Sequence, residues 1–368
     1  MGIKSLYTFL ENVLTTIDIS ELEEACTVAV DGYNWLYQGA MLCSKELCEN
    51  LPTNKHIEFF MKRVELLQQN KVKPFIVFDG CELLMKIDKK RKRKEYVFLA
   101  LWQNYLPLSS SSQSSNPPCE RRSRDKSLAK ARRLESRDAA AVGHYKHAVN
   151  ITPLIVHKLI EVLKKQDISY VVAPYEADAQ MAFLAIHGRV NAVLTSDADL
   201  VAFGCPRIIF RMDDSGRGHE FKDSKLLKHP KLNGFTQQTF LELCVLRGCD
   251  YLRPLNNMNW HIVLEKFQKY GTYDKVIEHL KESAPASVYT GYKTEFRKAM
   301  LTFKHQRVYD PNCESTVLLS GLSEDELRSN LPEDVGNDLS FLGPWIENDV
   351  AKGIAEGVIN PLDRMPFD

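Results

Sequence analysis

Short apolar runs alternate with amphipathic stretches along the first two thirds of the chain. TVAV (27–30), PFIVF (74–78), SYVV (169–172), NAVLT (191–195) and RIIF (207–210) are rich in β-branched and aromatic residues. Runs of this kind, without polar alternation, predict strands buried on both faces. Between them apolar residues recur at helical spacing near 56–69, near 153–166 and from Ala177 onward. Strand, helix, strand repeated in this order predicts an α/β fold, a central, mostly parallel sheet flanked by helices. From about Phe235 the pattern is helical only. TQQTFLELCVLRG has Thr236 as its N-cap and Gly248 just past its end, and NWHIVLEKFQKY and TYDKVIEHLKE follow. Beyond Asp310 the sequence is mixed and acidic and yields no assigned element. The chain therefore reads as an α/β core over 1–233, a helical region over 234–310 and an extension over 311–368.

The alternation breaks between residues 86 and 150. KIDKKRKRK and RRSRDKSLAKARRLESR flank SSSSQSSNPP, whose composition lacks the apolar residues that fixed packing needs. The basic flanks read as helices and the serine and proline stretch as an insertion between them. Forty-eight basic and 48 acidic residues give no net charge, yet 86–137 is heavily basic and most of the remainder acidic. That distribution says more than the total. The run from Lys86 to Lys94 fits a nuclear localisation signal, a solvated helix face or a phosphate-binding surface. Lys86 and Arg93, seven apart, share one face of a helix and can point together at an anionic substrate.

Length and composition narrow the class. A chain of 368 residues can bury a sizeable core as one large domain or two. Its nine cysteines are scattered, and the nearest pairs, Cys43/Cys48 and Cys244/Cys249, lack histidines at zinc-ligand spacing. Reduced intracellular thiols are the reading. No apolar run is long enough to span a bilayer and no signal peptide opens the chain. Met1-Gly2 begins a myristoylation motif, but Leu6 stands where it requires Ser or Thr.

Seven carboxylates stand at or near the ends of apolar runs. Asp31 and Asp79 follow the first two strands, Glu176 and Asp178 lie in YEADAQ, Asp197 and Asp199 in TSDADL, and Asp250 in RGCDYL. In open α/β sheets the ligand lies beyond the carboxyl ends of the strands. Acids converging there repel one another and resist desolvation unless cations sit among them, and Mg²⁺ takes oxygen ligands of this kind. On an extended strand end Asp197 and Asp199 share a face, although an isolated DxD is more often a polar loop. Glu176 belongs in the turn and Asp178 in the first turn of the following helix, where acids suit the dipole. Each motif is weak alone; four in one chain point to a common site. Tyr33, Trp35 and Tyr37 read first as core aromatics, Trp35 most plainly. An exposed Tyr37 beside a basic site can stack on a terminal base pair.

Taken together, the MGI start, VDGYNWLY, VFDGC, VAPYEADAQMAFL, TSDADLVAFGC and RGCDYL resemble the structure-specific 5′ nuclease superfamily of flap endonucleases and exonuclease 1. The likeness runs from Met1 to about Asp310 and is strongest to the exonuclease-1 branch. It implies a PIN-like core, a basic helical arch and a helix-two-turn-helix region. Asp31, Asp79, Glu176 and Asp178 would hold one Mg²⁺ and Asp197, Asp199 and Asp250 the other, with Asp178 near both and Mn²⁺ able to substitute. Lys86 and Arg93 would reach the scissile phosphate from the arch, with Gly2 close by, Tyr33 in the DNA contact and Tyr37 as a wedge against the duplex end. The implied activity is 5′-to-3′ hydrolysis of duplex DNA and cleavage of 5′ flaps. It would act in the nucleus, as a monomer, on 5′ ends, nicks, gaps and flaps, with mismatch-repair or replication proteins as partners. No sliding-clamp motif of the flap-endonuclease kind ends the chain.

Two features depart from the family. Asn257-Met258-Asn259 replaces the glycine-flanked turn that binds K⁺ and a DNA phosphate. Asn tolerates left-handed backbone, but its side chain obstructs the close approach that glycine permits, so K⁺ is not carried over with the turn. The second is the Ser-rich arch insertion. Two alternatives follow: a DNA-binding homologue with little catalysis, and, from another class, a haloacid-dehalogenase-like phosphatase. The latter wants a second Asp two residues after the first, where this chain has Tyr33.

Overall fold

A computed structural model of the chain describes residues 2–86, 145–146, 149–255, 258–281 and 291–367. The first half runs α1 (Leu6–Leu10), β1 (Thr15–Asp18), β2 (Thr27–Asp31), α2 (Gly32–Leu42), α3 (Ser44–Cys48), α4 (Lys55–Gln69) and β3 (Lys73–Phe78). It continues through α5 (Pro153–Lys165), β4 (Ser169–Val172), α6 (Ala177–Ile186), β5 (Ala192–Thr195), β6 (Arg207–Phe210) and β7 (Arg217–Lys222). The remainder holds α7 (Gln237–Arg247), α8 (Trp260–Tyr270), α9 (Tyr273–Lys281), α10 (Tyr292–His305), β8 (Arg307–Asp310), β9 (Ser315–Leu318), α11 (Glu324–Ser329) and α12 (Asn348–Ala355).

The seven-stranded sheet has the order β1-β7-β6-β5-β2-β3-β4. Its five strands from β6 to β4 are parallel and are the five that the apolar runs predict. Val28, Ala29 and Val30 of β2 are all fully buried, pairing with β3 on one side and β5 on the other. α6 is buried nearly all round because it crosses β2, β3 and β5 while β8 covers its outer face. α4 presents Phe60, Met61, Val64 and Leu67 inward at helical spacing.

The antiparallel edge formed by β7 and β1 lacks an apolar signature. In β7 the inward positions include Glu220, buried with Arg207 at 2.7 Å, so alternation of apolar and polar residues is lost. Thr236 accepts the Thr239 N–H at 3.1 Å as the expected cap of α7, and Gly248 follows its last residue. Beyond Asp310, where the sequence assigned nothing, β9 pairs with β8 across residue 310 and α11 starts in a capping box of Ser323 and Glu326. One hydrophobic cluster runs from Ile3 to Ala355.

Candidate active site

Four strand ends deliver the acids to one place. Asp31 closes β2 and Asp79 follows β3; Glu176 and Asp178 come after β4, and Asp197 and Asp199 after β5. Asp250 arrives from the opposite side, after α7. All seven line a cavity of about 800 Å³, together with Gly2, Tyr33, Tyr37, Lys86 and Arg211. Arg93 and Asn257 lie outside the described residues.

Local chemistry fixes each carboxylate. Asp31 caps α2 by accepting the Asn34 N–H at 3.0 Å, and Thr195 Oγ1 donates to its other oxygen at 3.0 Å. Asp79 accepts the Ala177 N–H at 2.7 Å, tying the β3 end to the start of α6. Glu176 is the N-cap residue of α6 and Asp178 lies in its first turn, as the sequence reading required. The DxD geometry differs from that reading. β5 stops at Thr195, and Asp197 caps a 3₁₀ turn over Ala198–Val201 by accepting the Asp199 N–H at 2.9 Å. An aspartate side chain can bond its own backbone two residues on, and here this Asx turn displaces the extended strand end. Both acids still face the cavity.

The chain start closes the other wall. The Gly2 N–H donates to Asp250 Oδ1 and the Ile3 N–H to Asp199 Oδ1, each at 2.8 Å. Gly2 has φ +61°, and a Cβ there would lie 2.7 Å from Asp199 Oδ1, so only glycine fits.

Among the described residues no three His, Cys, Asp or Glu side chains are drawn up as a ready cation cage. Their charge is met instead by Lys86, whose Nζ lies 2.7 Å from Glu176 Oε1 and 3.4 Å from Asp250 Oδ2. Burial disfavours the ammonium, but Glu176, Asp250 and Asp178 outweigh it and hold its pKa above the ordinary lysine range. Burial pushes the Asp31 carboxyl up to about 7, with Asp79 and Asp197 adding repulsion. Burial and then Asp197 raise Asp199 to about 8. Asp178 is raised well above the usual carboxylate range by burial, Asp197 and Asp31, and burial raises Asp79 and Glu176 as well. With Lys86 and Arg211 against seven acids, the site is short of positive charge. Its donor set, all carboxylate oxygen, fits hard divalent cations.

Aromatic residues frame the mouth. Trp35 is buried against Phe60, as expected. Tyr33 packs edge-on to Phe78, half-buried, whereas Tyr37 is exposed on the next turn of α2. Asn259 caps α8 through the Ile262 N–H at 2.9 Å. Sequence reasoning missed Tyr251, whose hydroxyl donates to Glu176 Oε2 at 2.5 Å and whose ring lies 5.9 Å from Lys86 Nζ. Its adjacency to Asp250 was the available signal. It also missed Arg211, stacked 3.7 Å from the Tyr7 ring; nothing in the sequence marks that residue.

With this geometry in view, comparison with known proteins is informative. The XPG N-terminal domain matches residues 1–97 and the XPG I-region residues 167–250. Exonuclease 1 of Arabidopsis thaliana is 45% identical over all of this chain, which covers 45% of that protein. Exonuclease 1 of Oryza sativa subsp. japonica is 44% identical, again over the whole chain and 40% of the relative. The chain thus spans less than half the length of these curated relatives. The solved catalytic core of Rad2 in complex with DNA substrate superposes with a TM-score of 0.58 at 20% identity, over 89% of this chain and 93% of that one. Human GEN1 in complex with Holliday junction DNA gives 0.51 at 17% identity, over 82% and 66%. These two structures share the fold.

Proposed function

Because the chain belongs to the structure-specific 5′ nuclease superfamily of flap endonucleases and exonuclease 1, we propose that it is a Mg²⁺-dependent DNA nuclease. It removes nucleotides from the 5′ ends of duplex DNA and cuts 5′ flaps. The observation that carries this reading is the convergence of seven carboxylates on one cavity, with Lys86 ion-paired to Glu176 and Asp250 among them.

Metal dependence is a property of the family. Here Asp31, Asp79, Glu176 and Asp178 would hold one Mg²⁺, and Asp197, Asp199 and Asp250 the other, with Asp178 near both. Bound there, Mg²⁺ or Mn²⁺ would supply Lewis-acid chemistry for phosphodiester hydrolysis. The protein's own residues supply the rest. The Gly2 and Ile3 N–H groups orient Asp250 and Asp199, Thr195 orients Asp31, and Tyr251 orients Glu176. Lys86, which lines the cavity beside Glu176 and Asp250, would reach the scissile phosphate. There, with Arg93, it offsets charge that grows on the phosphoryl oxygens. Tyr37, exposed at the mouth, stacks against the terminal base pair while Tyr33 backs it. Asn257 and Asn259 contact the duplex, with no K⁺ assigned there. We place the protein in the nucleus, acting as a monomer in repair or recombination beside mismatch-repair or replication proteins.

The test is cleavage of 5′-labelled recessed, nicked and flapped duplexes in Mg²⁺ and in EDTA. Mg²⁺-dependent release of short 5′ products is expected. Duplex binding without cleavage in Mg²⁺ or Mn²⁺ would instead select a binding homologue.

A further inference from the structure

The loop that carries Glu176 and the helix turn that carries Asp178 are gripped from outside the cavity. Tyr175, buried, donates its hydroxyl hydrogen to the Pro344 carbonyl. Gly343 lies against the same ring at φ +112°, where a Cβ would stand 2.4 Å from Cε2. Arg307 of β8 holds that segment in turn: it donates to the Leu339 carbonyl at 3.1 Å and to the Gly343 carbonyl, and pairs with Glu324. Within α6, the fully buried Gln180 makes two bonds to the Tyr309 backbone, donating to its carbonyl at 2.7 Å and accepting its N–H at 2.8 Å. Gln306, just before β8, lies 3.3 Å from the Tyr251 hydroxyl, whose one hydrogen goes to Glu176 Oε2 at 2.5 Å.

Residues in or beside one strand thus reach Tyr175, Glu176 and α6 by three separate links. Neither Tyr175, Gln180 nor Arg307 lines the cavity. Like-charged carboxylates repel, and from within the cavity wall the start of α6 is tied to the β3 end by the Asp79–Ala177 bond. Buried hydrogen bonds, costly to leave unmade, are suited to holding such acids in place.

We infer that the segment 306–344 is a clamp that sets the spacing of Glu176 and Asp178, with Tyr175 and Gln180 as its positioning residues. The clamp fixes how tightly the acids take up divalent cations, and so rests on the metal site proposed above. Outer partners of metal ligands typically account for about 10- to 100-fold in affinity. The experiment is Mn²⁺ binding to the metal-free chain, read from the EPR signal of free Mn²⁺, with thermal unfolding measured alongside. Tyr175→Phe, which removes one hydroxyl, and Gln180→Leu, which removes both bonds to β8, should each weaken Mn²⁺ binding about tenfold or more. Lys55→Ala, which breaks a surface pair with Glu46 outside the clamp, should leave it unchanged. A merely structural role lowers the unfolding midpoint and leaves Mn²⁺ affinity alone. Mn²⁺ affinity equal to the parent's in Tyr175→Phe and Gln180→Leu, with binding lost in Asp178→Ala, overturns the clamp and spares the metal site. Equal affinity in Asp178→Ala overturns both. Where Gln180→Leu does not fold, Tyr175→Phe decides alone.

Discussion

Asp31 and Asp199, the two carboxyls raised to about 7 and about 8, connect the site's chemistry to the protein's stability. A group whose folded pKa is raised gives stability that is fully present below its unfolded value, near 3.8, and lost as pH rises through the folded value. Without divalent cations the protein should therefore lose stability as pH rises from about 4 to about 8. Ions that bind the folded acids act in the opposite sense. Thermal unfolding in EDTA and in Mg²⁺ tests this: the stabilisation by Mg²⁺ should be larger at pH 8 than at pH 5.5. A shift independent of pH would mean that the acids do not meet the ion. At this scale the sequence was most legible for side chains that announce themselves as charges at strand ends. It was least legible for groups that act through the backbone. The amides of Gly2 and Ile3 bind Asp250 and Asp199 across the whole molecule, and no side chain advertises them.

α2 joins two jobs in one element. Its N-terminus is capped by Asp31, and its next turns carry Trp35 into the core and Tyr37 to the mouth of the cavity. Stacking of a base on an aromatic ring is worth ~1–3 kcal/mol. Tyr37→Ala should therefore raise KM for recessed duplex about five-fold or more, with an unchanged unfolding temperature because the ring is not in the core. Steady-state kinetics on recessed duplex decide it; an unaltered KM would remove Tyr37 from the DNA contact. The apolar runs made the five parallel strands readable, whereas β7 hid behind Glu220 and Arg207. The capping box of Ser323 and Glu326 was in plain view in the acidic extension, but the surrounding charge masked the helix it starts. The Asx turn at Asp197 was hidden for a different reason, since DxD is compatible with both a strand end and a turn.

For the whole molecule, neutrality conceals a division of labour. Acids gather at the strand ends, while most of the excess basic charge lies in 86–137. A protein that neutralises several phosphates releases counterions, so affinity falls steeply with salt. Cleavage at substrate concentrations below KM should fall by at least about tenfold between 50 and 200 mM KCl. A flat response, measured as kcat/KM against salt, would argue against the basic segment as the DNA surface. Fold class and family could be read from the motifs because most of them sit at the end of a buried strand, RGCDYL alone following a helix among the acid motifs. The grip of 306–344 on the acid loop could not, because Gln180 meets Tyr309, and Tyr175 meets Pro344, only after long-range folding.

The central claim, that the seven acids form a metal site for cutting DNA, is tested most directly by single-turnover cleavage of a 5′-labelled recessed duplex. The comparison is between the parent chain and Asp178→Ala at saturating Mg²⁺. Several kcal/mol of transition-state charge stabilisation is at stake, so the rate should drop roughly 10³-fold. Equal rates in the two proteins would contradict the account.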